Sequence, residues 1–128
     1  MKNKFFYILM FFSLGLMAQD KNTHTDFVIL TSQFDQLEPI LITAESLSSK
    51  DNFQIVLYGK DVKLVTEPEM KKYLVWAQES EAKLFVCQMS LDRLKIEADE
   101  LPSGIEIVDN AFLYSLQLQK KGYKTLNL

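Results

Sequence analysis

Short apolar runs rich in β-branched residues alternate with segments whose apolar residues recur every three or four positions, and this alternation constrains the fold more than any other feature of the chain. The runs are Phe27–Thr31, Phe53–Tyr58, Leu84–Val86 ending at Cys87, Ile105–Val108, and a short fifth candidate at Tyr123–Leu126. They lack the strict in-and-out alternation of a sheet with one wet face, so both faces are expected to be covered, as in parallel sheets. Between them, Leu37, Ile40, Leu41, Ala44 and Leu47 form one helical face with Pro39 near its start, where a missing N–H is tolerated. Met70, Tyr73, Leu74 and Ala77 form a second behind Glu67-Pro68-Glu69. Ser90 is placed to cap a short third helix through Leu91 and Leu94, and Asp109 or Asn110 to cap a fourth carrying Phe112, Leu113 and Leu116, which Gly122 ends. Residues Val62–Val65 either extend the second strand or form a separate turn, and Leu101–Gly104 is a turn cluster. The predicted class is α/β, a mainly parallel sheet of about five strands with helices on both faces.

The alternation begins only at Phe27. Before it, Lys2 and Lys4 precede an apolar stretch from Phe5 to Met17, which is the layout of a secretory signal peptide and several residues short of a membrane-crossing helix. Residues 1–18 are expected to be removed after Ala18, the alternative being a retained anchor; no cysteine follows to accept a lipid. Residues 19–26, polar and holding His24, read as a flexible lead-in, and residues 27–128 as one domain. The expected protein is exported, periplasmic or secreted, with no stable membrane span after cleavage. Losing Lys2 and Lys4 takes the net charge from −3 to −5, which argues against nucleic acid as a partner.

Only one residue invites chemistry at once. Cys87 is the sole cysteine, so it forms no disulfide within the chain, and it stands where a strand ends and a helix is about to begin. In open α/β sheets ligands bind at that end of the strands. A thiol there would face the positive end of the following helix, which favours the nucleophilic thiolate, and Arg93 would add charge by folding back. The competing interpretation is a small buried hydrophobe. Tyr58, Gly59, Lys60, Ser90 and Asn110 would share the rim as substrate-binding residues, although Lys60 is as easily a solvated turn residue and Asn110 a helix cap. Nucleotide, zinc-protease and serine-hydrolase motifs are absent from the sequence, and neither a cofactor nor a metal is expected.

The segments Phe53–Val65, Leu84–Ile96 and Leu101–Leu126 together resemble the DsrE/DsrF-like sulfur-metabolism family, most specifically in the strand leading to Tyr58-Gly59, in Cys87 followed by a Ser-Leu helix start, and in Leu118-Gln119 with Gly122-Tyr123. The sequence departs from the family pattern at Gln88-Met89 and Asn110-Ala111. The resemblance implies a flavodoxin-like three-layer sandwich and a tendency to form homo-oligomers or hetero-oligomers. It also implies a sulfur-handling function: Cys87, at the matching position, would accept sulfane sulfur as a persulfide and exchange it with a donor or acceptor protein, as a sulfurtransferase or persulfide carrier. The alternative is a non-enzymatic binding or assembly module of the same fold with Cys87 buried and inert.

Overall fold

The computed structural model describes residues 24–47 and 51–128. The expected signal peptide and residues 19–23 of the lead-in lie outside the described residues. Five strands, β1 (Phe27–Thr31), β2 (Phe53–Leu57), β3 (Ala82–Cys87), β4 (Ile105–Val108) and β5 (Lys124–Asn127), form one sheet in the order β4-β3-β2-β1-β5, every pair parallel. Four helices, α1 (Leu37–Ser46), α2 (Met70–Glu79), α3 (Gln88–Leu94) and α4 (Ala111–Lys120), complete a flavodoxin-like three-layer α/β sandwich. None of these helices is long and apolar enough to cross a membrane.

The strand order decides where each helix lies. From β1 to β4 the chain steps one strand at a time in one direction, and right-handed crossovers that keep stepping one way put their helices on one face. Leu37 and Leu41 of α1, Met70 and Ala77 of α2, and Leu91 of α3 accordingly share one buried cluster with Ile29, Ile55, Leu84 and Val86. The last crossover returns from β4 over three strands to the far side of β1, so α4 takes the opposite face. There Ala111 and Leu118 join Val28, Leu30, Val56, Phe85, Cys87 and Val108.

Local chemistry matches these positions. Asn110 is the N-cap of α4, its Oδ1 accepting from the amides of Phe112 (3.0 Å) and Leu113 (3.2 Å). Gly122, at φ 100°, ends the same helix in the left-handed conformation its sequence position implies. One open alternative is decided and two expectations need correction. Residues Lys60–Thr66 form a 3-10 helix, with Val62 and Val65 buried against the first cluster, so Val62–Val65 does not extend β2. The third helix starts at Gln88 with Cys87 as its N-cap, and Ser90 is a buried residue inside it. The fifth strand is Lys124–Asn127, shifted by one residue from Tyr123–Leu126, because the Tyr123 amide donates to the Leu118 carbonyl (3.1 Å) at the end of α4 and pairing with β1 starts at Lys124.

One polar group sits deep in this frame. Gln54 lies in β2, whose five residues are all buried, and its Oε1 accepts from the Tyr114 hydroxyl while its Nε2 reaches the Tyr123 hydroxyl at 3.5 Å. Burial pushes the Tyr114 hydroxyl above its usual pKa, assisted by Tyr123, with Glu106 adding a smaller effect in the same direction and the Gln54 hydrogen bond opposing it.

Two predictions follow from this packing. Leu41→Ala, at a fully buried position, is expected to cost about 2–5 kcal/mol, and Ile42→Ala, at its half-exposed neighbour, about 0.5 kcal/mol or less, both by urea denaturation. Because the folded state holds the Tyr114 proton more tightly than the unfolded chain, its contribution is complete below the ordinary tyrosine pKa and is lost as pH rises through the raised folded value. The stability of Tyr114→Phe should therefore fall less steeply than wild type in alkaline titration of the denaturation midpoint.

Candidate functional site

The connections leaving β3 and β4 diverge, α3 to one face and α4 to the other, and such a divergence opens the crevice in which α/β sheets bind ligands. Cys87 is the last residue of β3 and pairs in register with Val108 of β4, so the only thiol stands at the mouth of that crevice.

Its side chain does not point where the sequence suggests. Successive strand residues alternate faces, and Val86 belongs to the cluster beneath α1–α3, so Cys87 must turn to the other side. It packs with Phe85, Val108 and Ala111 on the α4 face and is 5% exposed. The sulfur makes no capping hydrogen bond to the start of α3, which corrects the expectation that the thiol faces those amides. The first-turn amides of Phe112 and Leu113 in α4 are already occupied by Asn110. Arg93 lies exposed in the last turn of α3.

Around the thiol, the rim is held by contacts between distant segments. Gly59 has φ 86°, and a Cβ built on it would lie 3.3 Å from the Ser32 Cβ, so the turn after β2 needs glycine both for its conformation and for its close approach to the turn after β1. The Gly59 amide donates to the Ser90 hydroxyl at 2.8 Å. Ser90 therefore ties α3 to the end of β2 instead of capping its own helix. Tyr58, half-buried against the Cys87 cluster, donates to Asn127 Oδ1 at 2.9 Å, and its ring meets Phe112 edge-on with centroids 5.0 Å apart. The structure thus joins Gly59 to Ser90 and places Tyr58 beside the cysteine cluster. It leaves Lys60 exposed at the rim and commits Asn110 to its cap.

The cleft beside this rim, between Thr31, Phe34, Tyr58 and Asp61, has no room for a water-sized molecule. A wider hollow of about 500 Å³ lies at the amino ends of β3 and β4, lined by Leu74, Ala82, Lys83 and Gly104, away from the thiol. Among the described residues no group of three or more His, Cys, Asp or Glu side chains is arranged to hold a metal ion. His24 is exposed, 3.6 Å from Asp26.

The sequence did not reveal the Tyr58–Phe112 ring pair or the Ser90–Gly59 bond. Each joins residues more than thirty positions apart, and no local spacing marks such a partnership. Ser90→Ala leaves the Gly59 amide without its acceptor, so a loss of about 1–3 kcal/mol is expected. Gly59→Ala, forced into a left-handed conformation, should lose at least about 1–2 kcal/mol. Equilibrium denaturation of the two variants checks both values, and a neutral Ser90→Ala would show that the bond contributes nothing.

Known proteins place these observations in context. No curated protein sequence matches the chain. Among solved structures, a protein of unknown function, MTH1491 from Methanobacterium thermoautotrophicum, superposes with a TM-score of 0.69 at 14% identity, over 84% of this chain and 100% of that one. A conserved protein of unknown function, BT1422 from Bacteroides thetaiotaomicron, gives 0.63 at 20% identity, over 80% of this chain and 94% of that one. At these identities the likeness concerns the fold alone. The sequence itself matches a family model over residues 18–128, and the chain belongs to the DsrE/DsrF-like family.

Proposed function

We propose that this protein is a sulfur carrier whose Cys87 holds sulfane sulfur as a persulfide. The observation that carries the proposal is the position of the only thiol, at the end of β3 where the connections from β3 and β4 part. Family membership supports the same chemistry. In the loading step the Cys87 thiolate attacks the outer sulfur of a donor persulfide R–S–SH. The donor S–S bond breaks, R–S⁻ leaves as the thiolate, and Cys87–S–SH forms with no net oxidation. In the unloading step an acceptor thiolate attacks that outer sulfur, breaks the new S–S bond and regenerates the Cys87 thiolate. With no second cysteine in the chain, the persulfide is discharged only to another molecule, so donor and acceptor are separate partners.

The rim residues have roles consistent with this. Lys60, exposed at the edge, attracts anionic persulfide or polysulfide, and Gly59 shapes the turn that carries it. Ser90 holds the Gly59 turn in place, and Asn110 fixes the first turn of α4 beside the thiol. At 5% exposure Cys87 reacts only when its cover opens, and that opening is assigned to Tyr58, which packs against the cysteine cluster and pairs with Phe112. The lysine-then-apolar layout of the first eighteen residues supports a site of action outside the cytoplasm.

The same burial favours a second function, a binding or assembly module in which Cys87 is an inert core residue. Two measurements separate them. Mass spectrometry after incubation with polysulfide should show added sulfur on wild type and none on Cys87→Ser; an unmodified wild type overturns the carrier. Thiol titration of the native protein should be slow yet measurable, and faster in Tyr58→Ala. Labelling that occurs only on global unfolding selects the inert module.

A further inference from the structure

The hollow of about 500 Å³ at the amino ends of β3 and β4 owes its existence to the shortness of one helix. Seven helical residues span about 10 Å, whereas the six residues of β3 run for about 20 Å. α3 starts at the carboxyl end of β3 and therefore covers only the half of β3 and β4 nearest the thiol. Over the other half the space beside α2 stays open, and Ala77, Ala82 and Gly104 are too small to fill it. The resulting volume lies in the range of small-molecule sites.

Its helical wall is apolar in the middle and polar at the ends. Lys71, Leu74, Val75 and Gln78 lie on one side of α2 at three- and four-residue spacing and line the hollow. Lys71 and Gln78 are two turns apart, about 10 Å, with Leu74 and the half-exposed Val75 between them. Ala77, Ala82 and Leu84, all buried, form the floor. Lys83 and Glu106 also border the hollow, but strand alternation turns both side chains to the α4 face. Lys83 lies between Ala82 and Leu84, both in the first cluster, while Glu106 pairs in register with Phe85 of the second and acts on the Tyr114 hydroxyl. Lys71 is thus the one charge presented from the helix wall, and it makes no ion pair among the described residues. Its neighbour Lys72 is placed over the Tyr73 ring, 4.8 Å from the centroid.

We propose that this hollow binds a linear aliphatic monocarboxylate, its carboxylate on the Lys71 ammonium and its alkyl chain along Leu74 and Val75 over the floor of Ala77, Ala82 and Leu84. A single cation selects a monoanion, because a second negative charge would lose water and gain no partner. The length of the wall between Lys71 and Gln78 suits an extended chain of medium length, and covering Val75 and Leu74 supplies the apolar gain. At the far end Gln78 and Ser103 are neutral, so the chain tip buries no charge. The site lies at the opposite end of the sheet from Cys87 and stands independently of the sulfur chemistry.

Amide NMR titration with octanoate tests it on the full chain and on the chain from Gln19 onward, since residues 27–128 supply both buried clusters. Shifts are expected at Leu74, Gln78, Leu84 and Gly104, with a Kd of about 1 mM or tighter. Octanol and octylamine, which keep the chain and lack the negative charge, should bind at least about tenfold more weakly. Lys71→Glu should lose octanoate by at least about tenfold, Lys71→Arg should retain it, and Lys72→Glu should leave it unchanged. Both lysines are exposed, so far-UV circular dichroism should be the same in all three variants. An absence of shifts at about 10 mM octanoate overturns the proposal. So do shifts confined to residues away from the hollow, equal affinity for octanol, a Lys71→Glu variant that binds as wild type does, and a loss in Lys72→Glu as large as in Lys71→Glu.

Discussion

β2 is buried along all five residues, and a strand with no wet face has to be covered by packed elements on both sides. Most of the architecture follows from meeting that requirement with a chain of this length. Stepwise crossovers from β1 to β4 place α1, α2 and α3 over one face. The other face is left to α4 alone, and it receives that helix only because the final connection turns back to set β5 beside β1. A single helix spanning the centre of the sheet needs help from large side chains. Tyr114 packs at a tilt against Phe85, with ring centroids 5.4 Å apart, and bonds Gln54, and Tyr58 leans on Phe112, extending the cover beyond the width of the helix.

The unequal covering also determines the chemistry available at the thiol. Since the crossovers diverge between β3 and β4, the crevice opens at Cys87, while strand alternation turns the sulfur toward the side with the thinner cover. The nearest helix start on that side is that of α4, whose first amides are already bonded to Asn110. The resting protein therefore keeps its only thiol under apolar cover, away from the start of the helix that follows it. Under the proposed site of action outside the cytoplasm this cover has a use, because an exposed thiol there is open to oxidation.

The layers were legible because their cause is local. Period and β-branching marked β1, β2 and β4, and Asn110 and Gly122 marked both ends of α4 through backbone chemistry that does not depend on the rest of the fold. The position of Cys87 at a strand end was legible for the same reason. Its direction was not: the face on which a strand-end residue points depends on which neighbouring residue enters the core, and in a strand buried on both faces Val86 and Cys87 look alike in sequence. Ser90 failed as a predicted cap on a related ground. A serine at a helix start is a good cap in isolation, but here the chain turned into helix two residues earlier, and the hydroxyl found a distant amide at Gly59.

α4 presents two faces that meet at one side chain. Its inner face, Ala111, Ser115 and Leu118, completes the smaller cluster that buries Cys87, and its outer face exposes Leu113 and Leu116, with Phe112 at the boundary between them. A contact that presses on Phe112 from outside acts through the Tyr58 ring on the edge of the thiol's cover. Because the topology puts no second helix on that face, the side chains of α4 decide both how the thiol is covered and what that face shows to solvent.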